Sequence, residues 1–192
     1  MSLPKVLERI DKACRRASRD PQAVRLVAVT KEHPVAEIRE RVLRYGRFPL
    51  GESRIQEALP KMDELVAEWH FIGPLQRNKA RFAVRFELIH SIDSVRLAET
   101  VARKAMENGK VQRVLLELNL GREPQKHGFL EEELPEALAQ ISCDGGPAGR
   151  RPDDGGPLHR RPRDGAAHFC TALEAGRPVP ASRAEHGHVG RF

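Results

Sequence analysis

The residue best suited to covalent chemistry in this sequence is Lys31, which closes an apolar run over residues 25–31. Five of the first six residues of the run are apolar, β-branched or both, which predicts a buried strand of a parallel sheet. Burial disfavours a charged ammonium, and a neutral lysine amine can attack an aldehyde and form a Schiff base. The run alone leaves a second reading open, in which Lys31 has left the sheet and reached solvent.

Length and composition restrict the class of protein. A chain of 192 residues fits one domain or a fragment of a larger one. The net charge of +6 favours solubility, but aromatic residues make up only 5%, too few for stacking on nucleic-acid bases. Three cysteines without a CxxC pair predict neither a disulfide framework nor a zinc site. The start of the chain lacks an apolar leader and no run is long enough to span a bilayer, so we expect a cytoplasmic protein without membrane partners.

Strand and helix patterns alternate along the first 141 residues, with short loops between them. Strands are predicted at residues 25–31, 48–52, 69–73, 86–91 and 111–119, and helices at residues 3–17, 35–43, 53–65, 76–84, 94–109 and 131–141. Such alternation predicts βαβ crossovers and a parallel α/β sheet. A (β/α)8 barrel of the TIM type needs about 250 residues, so residues 1–141 would form a partial barrel. A doubly wound open sheet is the alternative, but no GxGxxG loop follows any strand.

The composition changes after Ile141. Residues 142–192 hold nine of the 15 glycines, six of the 14 prolines and none of the eight lysines. Few aliphatic residues are left to offset the entropy of ordering this segment, which predicts a disordered or irregular tail. An arginine-rich tail of this kind could also contact nucleic acid.

Five motifs in the first part of the chain resemble, in order and spacing, the pyridoxal-phosphate homeostasis protein family, also called YggS or PLP-binding protein. They are LVAVTK at residues 26–31, GESRIQE at 51–57, WHFIGPLQRNK at 69–79, IHSID at 89–93 and NLGREPQKHG at 119–128. The family resembles the barrel domain of alanine racemase and carries pyridoxal 5'-phosphate (PLP) on the lysine that closes its first strand. The resemblance therefore implies PLP as cofactor, attached to Lys31, and a PLP-binding barrel over residues 1–141.

Four further residues fall at or near predicted strand ends, where functional groups of parallel barrels sit. Glu52, His70, Ser91 and Asn119 could each line the ring face of bound PLP. Each also has an ordinary reading: Glu52 and Ser91 as loop or cap residues, His70 as a packed strand residue and Asn119 as a turn residue. Ser53 stands where the family commonly has Asn, and is predicted to cap the following helix.

The resemblance implies a PLP carrier that takes part in PLP homeostasis without turnover of its own, and that is monomeric in its intact form. Its partners would be PLP and PLP-dependent apoenzymes. A PLP-dependent racemase or decarboxylase is the alternative, but it needs a second acid/base residue, commonly a tyrosine, and Tyr45 is the only tyrosine. A nucleic-acid binder is not expected, because the arginines of the tail have another explanation, translation of residues 142–192 in the wrong reading frame.

Residues 142–192 are predicted to be translated out of frame. One base later, the codons of residues 151–157 permit GLMTVGP and those of residues 185–192 permit SMGMSGD, two of the family motifs that are otherwise missing. A frameshift between about residues 141 and 150 would leave an incomplete barrel with open edges and a scrambled phosphate segment. We expect such a chain to be unstable or to aggregate, and to hold PLP poorly.

Overall fold

The computed structural model describes residues 2–143, in which helices and strands alternate. The strands are β1 (Ala28–Val29), β2 (Leu50–Glu52), β3 (Trp69–Phe71), β4 (Leu88–Ile92) and β5 (Arg113–Leu116). The helices are α1 (Leu3–Arg16), α2 (Val35–Arg41), α3 (Ile55–Glu64), α4 (Ala80–Ala83), α5 (Val95–Glu107) and α6 (Leu134–Cys143). The predicted tail at residues 142–192 lies outside the described residues, except for the end of α6.

The five strands form one parallel sheet whose spatial order is the same as their order in the chain. Each strand pairs in parallel with the next, from β1 with β2 through β4 with β5. A doubly wound sheet would reverse direction at a switch point, whereas this order is that of a (β/α)8 barrel. The prediction of a partial α/β barrel is confirmed.

The predicted strand bounds were too wide. The run at residues 25–31 contributes only Ala28–Val29 to the ladder, and the run at residues 111–119 only Arg113–Leu116. An apolar pattern indicates burial rather than backbone pairing, so it overestimates the length of short strands. The long helices agree better, since residues 3–17 and 94–109 contain α1 and α5 with at most two residues to spare at either end.

The core lies between the outer face of the sheet and the helices. Leu50, Ile89 and Val114 on the strands are fully buried, and Phe71 meets Phe86 edge to face with ring centroids 5.3 Å apart. The helices supply the opposite wall of this core, chiefly through Ile38, Ile55, Ala58, Ala80, Leu97 and Val101. This packing fixes which face of each strand is turned away from the helices.

The helices of residues 2–143 are short and amphipathic. The longest, α1, has 14 residues, and its only buried side chain is Cys14. None of the helices in this part of the chain is long and apolar enough to cross a membrane.

Candidate functional site

Lys31 stands just beyond the carboxyl end of β1, in a tight turn. The backbone N–H of His33 donates to the carbonyl of Thr30 at 3.2 Å, which makes Lys31 and Glu32 the central residues of the turn. Glu32 has a φ of 66°, and a positive φ at the third turn residue alone is the pattern of a type II turn. The expectation of a buried strand lysine was wrong, because Lys31 is exposed and the chain has already left the ladder. The second reading, a lysine that has reached solvent, is the one observed.

The face of the sheet turned away from the helices is here called the inner face. Register pairs Val29 with Gly51, Gly51 with His70 and His70 with Leu88 across it. Val29 is 51% exposed, so the inner face is partly open in the described part of the chain. Side chains alternate along a strand, so Thr30, which follows Val29, points outward onto Glu52, and Lys31 begins the turn directly after it.

Glu52 lies on the opposite, outer face, where it is completely buried. Its Oε1 accepts hydrogen bonds from Thr30 Oγ1 and from Lys61 Nζ, both at 2.7 Å. Lys61 Nζ also donates to the carbonyl oxygen of Thr30 at 2.8 Å. Within residues 2–143, Glu52 Oε2 has no hydrogen-bond partner. Glu52 thus serves a buried ion pair under the turn that carries Lys31, and a contact between Glu52 and PLP stays a prediction.

His70 is part of a polar line that crosses the inner face. Its Nε2 lies 2.9 Å from Glu68 Oε1, and Glu68 in turn accepts from Arg25 Nη2 at 2.5 Å. Burial opposes ionisation of Glu68, but the hydrogen bond from His70 and the charge of Arg25 outweigh it and hold the pKa of Glu68 below its ordinary value. With Glu68 ionised, His70 carries its hydrogen on Nε2 and its Nδ1 can accept from a further donor.

That donor is His90, whose Nε2 lies 3.0 Å from His70 Nδ1. The two rings are tilted by 42° with centroids 5.0 Å apart. Burial, and then the adjacent His70, lower the pKa of His90 below its ordinary value, which favours the neutral ring. Register pairs Phe71 with Ile89, so His90 is level with Ile72 of the β3 segment and close to the mouth of the partial barrel.

Ser91 follows His90 at an irregularity in the sheet. The register between β4 and β5 shifts between Ile89 and Ile92, which leaves one extra residue on β4. Ser91 is buried, and its hydroxyl donates to the carbonyl oxygen of Gly73. The Ser91 hydroxyl therefore links the ends of β3 and β4, and a contact between Ser91 and PLP stays a prediction.

Gly73 is required by the close approach of two loops. A Cβ atom on Gly73 would lie 2.2 Å from the carbonyl oxygen of Ser53, far inside van der Waals contact. Ser53 does not cap α3 as predicted, because Arg54 occupies the N-cap position and makes no side-chain cap bond there. The backbone of Ser53 is instead wedged against Gly73, which holds the ends of β2 and β3 together.

Asn119 organises the loop after β5. Its Nδ2 donates to the carbonyl oxygens of Glu123 at 2.9 Å and Lys126 at 3.3 Å, and its Oδ1 accepts from the N–H of Glu123 at 3.2 Å. The side chain thus uses both of its polar groups within one loop, as the ordinary reading of a turn residue expects. Its predicted contact with PLP would need these bonds to be shared or exchanged.

A cleft of about 990 Å³ lies at the other, amino-terminal ends of the strands. Basic groups line it, but Arg25 is bonded to Glu68, and Lys110 donates to the carbonyl oxygen of Val84. Arg113 pairs with Glu87 at 3.5 Å. Because these cations are already partnered and parallel barrels act at the carboxyl ends of their strands, the candidate site is the end that carries Lys31.

Comparison with known proteins identifies the family to which this arrangement belongs. The family described as "Alanine racemase, N-terminal domain" matches residues 2–147. The pyridoxal phosphate homeostasis protein of Deinococcus radiodurans is 47% identical over 146 residues, which are 76% of this chain and 69% of that protein. The chain belongs to the pyridoxal phosphate homeostasis protein family. The namesake from Aquifex aeolicus is 43% identical over 138 residues, 70% of this chain and 60% of that protein.

Solved structures of the pyridoxal phosphate homeostasis family agree with this assignment. PipY, the COG0325 family member of Synechococcus elongatus, has been solved without PLP and superposes with a TM-score of 0.60 at 40% identity, over 70% of this chain and 64% of PipY. PipY with PLP bound gives a TM-score of 0.56 at 38% identity, over 69% of this chain and 63% of PipY. The chain thus spans between three fifths and seven tenths of the length of these relatives.

Several residues of the site were missed from the sequence. The sequence pattern places Lys61 in a helix without marking it as a site residue, although it lies nine residues after Glu52 and bonds to it. The pattern likewise does not mark His90, although it stands beside Ser91 in the IHSID motif. A signal existed for His90, since histidine on a predicted inner strand needs a polar partner. No comparable signal marked Glu68, which precedes β3.

Proposed function

We propose that this chain is a PLP-binding protein that takes part in PLP homeostasis, holds PLP as a Schiff base on Lys31 and has no turnover of its own. The observation that carries the proposal is the position of Lys31, an exposed primary amine at the carboxyl end of the first barrel strand. Relatives named for PLP homeostasis, and the solved PipY with PLP bound, support PLP as the ligand. PLP-dependent apoenzymes are the proposed recipients.

The residues present fit an aldehyde at this position. Lys31 is exposed, and none of the hydrogen bonds or ion pairs of the described residues engages its Nζ. Lys31 would hold PLP through its amine, which in the neutral form is the nucleophile that an aldehyde requires. Bound PLP acts as an electron sink, while the protein decides what is held beside it.

We propose that the inner face orients the PLP ring through His90, whose hydrogen-bond donor is held by His70. His70 holds the Nε2 hydrogen of His90 in a hydrogen bond, so the Nδ1 of a neutral His90 is left as an acceptor. Gly51 adds no side chain to this face, where a Cβ atom would lie 3.1 Å from Val27 Cγ1 and 3.2 Å from Ile72 Cδ1. His70 itself is only 1% exposed, so we propose that it orients His90 rather than touching PLP directly.

The absence of turnover is supported by the position of Tyr45. A racemase on this barrel would need a second acid/base residue facing the lysine, commonly a tyrosine. Tyr45 lies in the 3-10 turn Leu43–Tyr45 that follows α2, next to the guanidinium of Arg44, and not at the carboxyl end of a strand. We expect no solvent deuterium at Cα of alanine after incubation with the PLP-loaded chain, and incorporation would contradict a carrier without turnover.

The proposed function is tested by titrating the full chain with PLP and following the imine absorbance. Lys31→Ala should abolish the band, whereas Lys5→Ala, which removes another exposed lysine, should leave it unchanged. Equal bands in the Lys31→Ala and parent chains would overturn the proposal.

We also propose that residues 1–141 are an incomplete PLP-binding barrel and that residues 142–192 are out of frame. The change in composition and the two motifs recovered by a one-base shift support this. Sequencing the gene around codon 141 is the test, because a frame without GLMT and SMGMS would contradict it. A chain restored to the other frame should hold PLP more tightly than this one.

A further inference from the structure

The turn that carries Lys31 is tethered to helix α3 through a buried ion pair. Lys61, on α3, donates to the carbonyl oxygen of Thr30 at 2.8 Å and to Glu52 Oε1 at 2.7 Å. Thr30 is the residue directly before Lys31, and its hydroxyl reaches the same carboxylate oxygen. Both the backbone and the side chain of Thr30 are therefore fixed by one charged pair.

The tether acts on a turn that stores strain. Glu32 adopts a φ of 66°, a conformation that residues with a Cβ atom rarely adopt. Such a residue persists only where its surroundings hold it, and it is often found at functional sites. The Thr30 carbonyl closes this turn by accepting from His33, and Lys61 binds that same carbonyl. Losing Lys61 would free the acceptor that defines the turn.

Burial makes the tether strong and separates the roles of the two lysines. The side chain of Lys61 is 12% exposed and that of Glu52 is fully buried, so water competes poorly for their bond. An ammonium that donates to a carboxylate and a carbonyl has no lone pair to offer an aldehyde. Lys31 has no such partner within residues 2–143. The two amines thus differ in availability although they serve the same turn.

We propose that Lys61 is a positioning residue for Lys31, and that it acts through Glu52 and the Thr30 carbonyl to fix the turn that presents the Lys31 amine at the carboxyl end of β1. This inference rests on the proposed function, because it assumes that the amine of Lys31 is the one that binds PLP. The attraction between Glu57 and the backbone of Glu32 adds a second link from α3 to the same turn.

The test compares four variants of the full chain. Lys61→Met removes the ammonium, Lys61→Met with Glu52→Gln removes both charges and so avoids an unpaired buried carboxylate, and Lys61→Arg keeps a cationic donor. Lys104→Met is the matched control, since Lys104 on α5 also pairs with a glutamate but its side chain is 31% exposed, against 12% for Lys61. Each chain is incubated with limiting PLP, reduced with borohydride and digested, and the pyridoxyl label at Lys31 is measured by mass spectrometry. Amide exchange at His33 is measured in parallel.

In the variant that combines Lys61→Met and Glu52→Gln, we expect the yield of pyridoxyl label at Lys31 to fall about tenfold, because a charge-assisted hydrogen bond is lost. Exchange at His33 should accelerate by a similar factor, and Lys61→Arg should restore much of the label. Unchanged labelling and exchange in both Lys61→Met chains would overturn the inference and leave the proposed function intact. A parent chain labelled elsewhere than Lys31 would contradict the proposed function, and exchange at His33 would then decide whether Lys61 holds the turn.

Discussion

His90 and His70 share one hydrogen bond across the inner face, with His90 Nε2 3.0 Å from His70 Nδ1. The bond extends a line that begins with Arg25 and passes through Glu68. Burial, and then the adjacent His70, lower the pKa of His90, so the line favours a neutral ring at its His90 end.

We expect acid to destabilise the fold through this line. The pKa of His90 is lowered in the folded chain, so the unfolded chain binds the proton more tightly and stability is lost as pH falls below the unfolded value of about 6.5. The lowered pKa of Glu68 extends the loss below about pH 4.3. Urea unfolding between pH 7.5 and 5 (roughly the His range) should show a smaller pH slope for His90→Gln than for the parent.

His33→Gln is the control for that experiment, because His33 is exposed and its ring pairs, within the described residues, with Glu37, which lies outside the line. Identical slopes for His90→Gln and the parent would show that the histidine line does not govern acid stability.

Breaking the buried pair of Glu52 and Lys61 should cost more stability than removing it whole. Glu52→Gln or Lys61→Met alone leaves one buried charge unpaired, which typically costs about 3–5 kcal/mol. The double variant removes both charges and should be less destabilised than the sum of the two. Chemical denaturation of the four chains gives the coupling free energy, and strictly additive losses would argue against a tight pair.

Gly73→Ala should destabilise the chain because the added Cβ would meet the backbone of Ser53 at 2.2 Å. Forcing the two loops apart is expected to cost about 1–3 kcal/mol. Gly121→Ala is the control, since its Cβ would meet only side-chain atoms of Glu123, the nearest at 3.1 Å, and no backbone. Thermal unfolding should give a lower midpoint for Gly73→Ala than for Gly121→Ala. Equal midpoints would mean that the ends of β2 and β3 can move apart without loss of stability.

Asn119→Ala should loosen the loop at residues 119–128 without affecting the core. Three hydrogen bonds of the Asn119 side chain are lost, at about 0.5–1.5 kcal/mol each before relaxation. Limited proteolysis at Arg122 and Lys126 should become faster than in the parent. Gln125→Ala, which removes one exposed bond to Glu123, should be cut at the parental rate; equal rates for the two variants would contradict this role.

The barrel could be predicted from the sequence because its elements have different periods. The helical spacing of apolar residues predicted α1 within residues 3–17 and α5 within residues 94–109. The short apolar runs that alternate with the helices predicted the parallel order of the strands. Where each strand stops was not predictable, since the turn at Lys31 depends on Glu32 adopting a positive φ. A sequence pattern carries no signal for a non-glycine residue held in that conformation by its surroundings.

The candidate site was predictable in position but not in contacts. Lys31, Glu52 and His70 do lie at or near strand ends, as the motifs indicated. The sequence did not predict that the Glu52 side chain lies on the outer face of the sheet. A carboxylate buried there needs the ammonium of Lys61, which is nine residues away and on another element. The extra residue on β4 also hid the neighbouring roles of His90 and Ser91.

Peptide mapping after borohydride reduction tests the central claim most directly. The parent chain has eight lysines, all within residues 1–141, and each would carry a pyridoxyl group if attachment were unspecific. We predict one dominant label, on the peptide that contains Lys31, and its loss in Lys31→Ala with no gain at Lys61. A label spread evenly over the lysines, or one that persists at full yield in Lys31→Ala, would contradict the account.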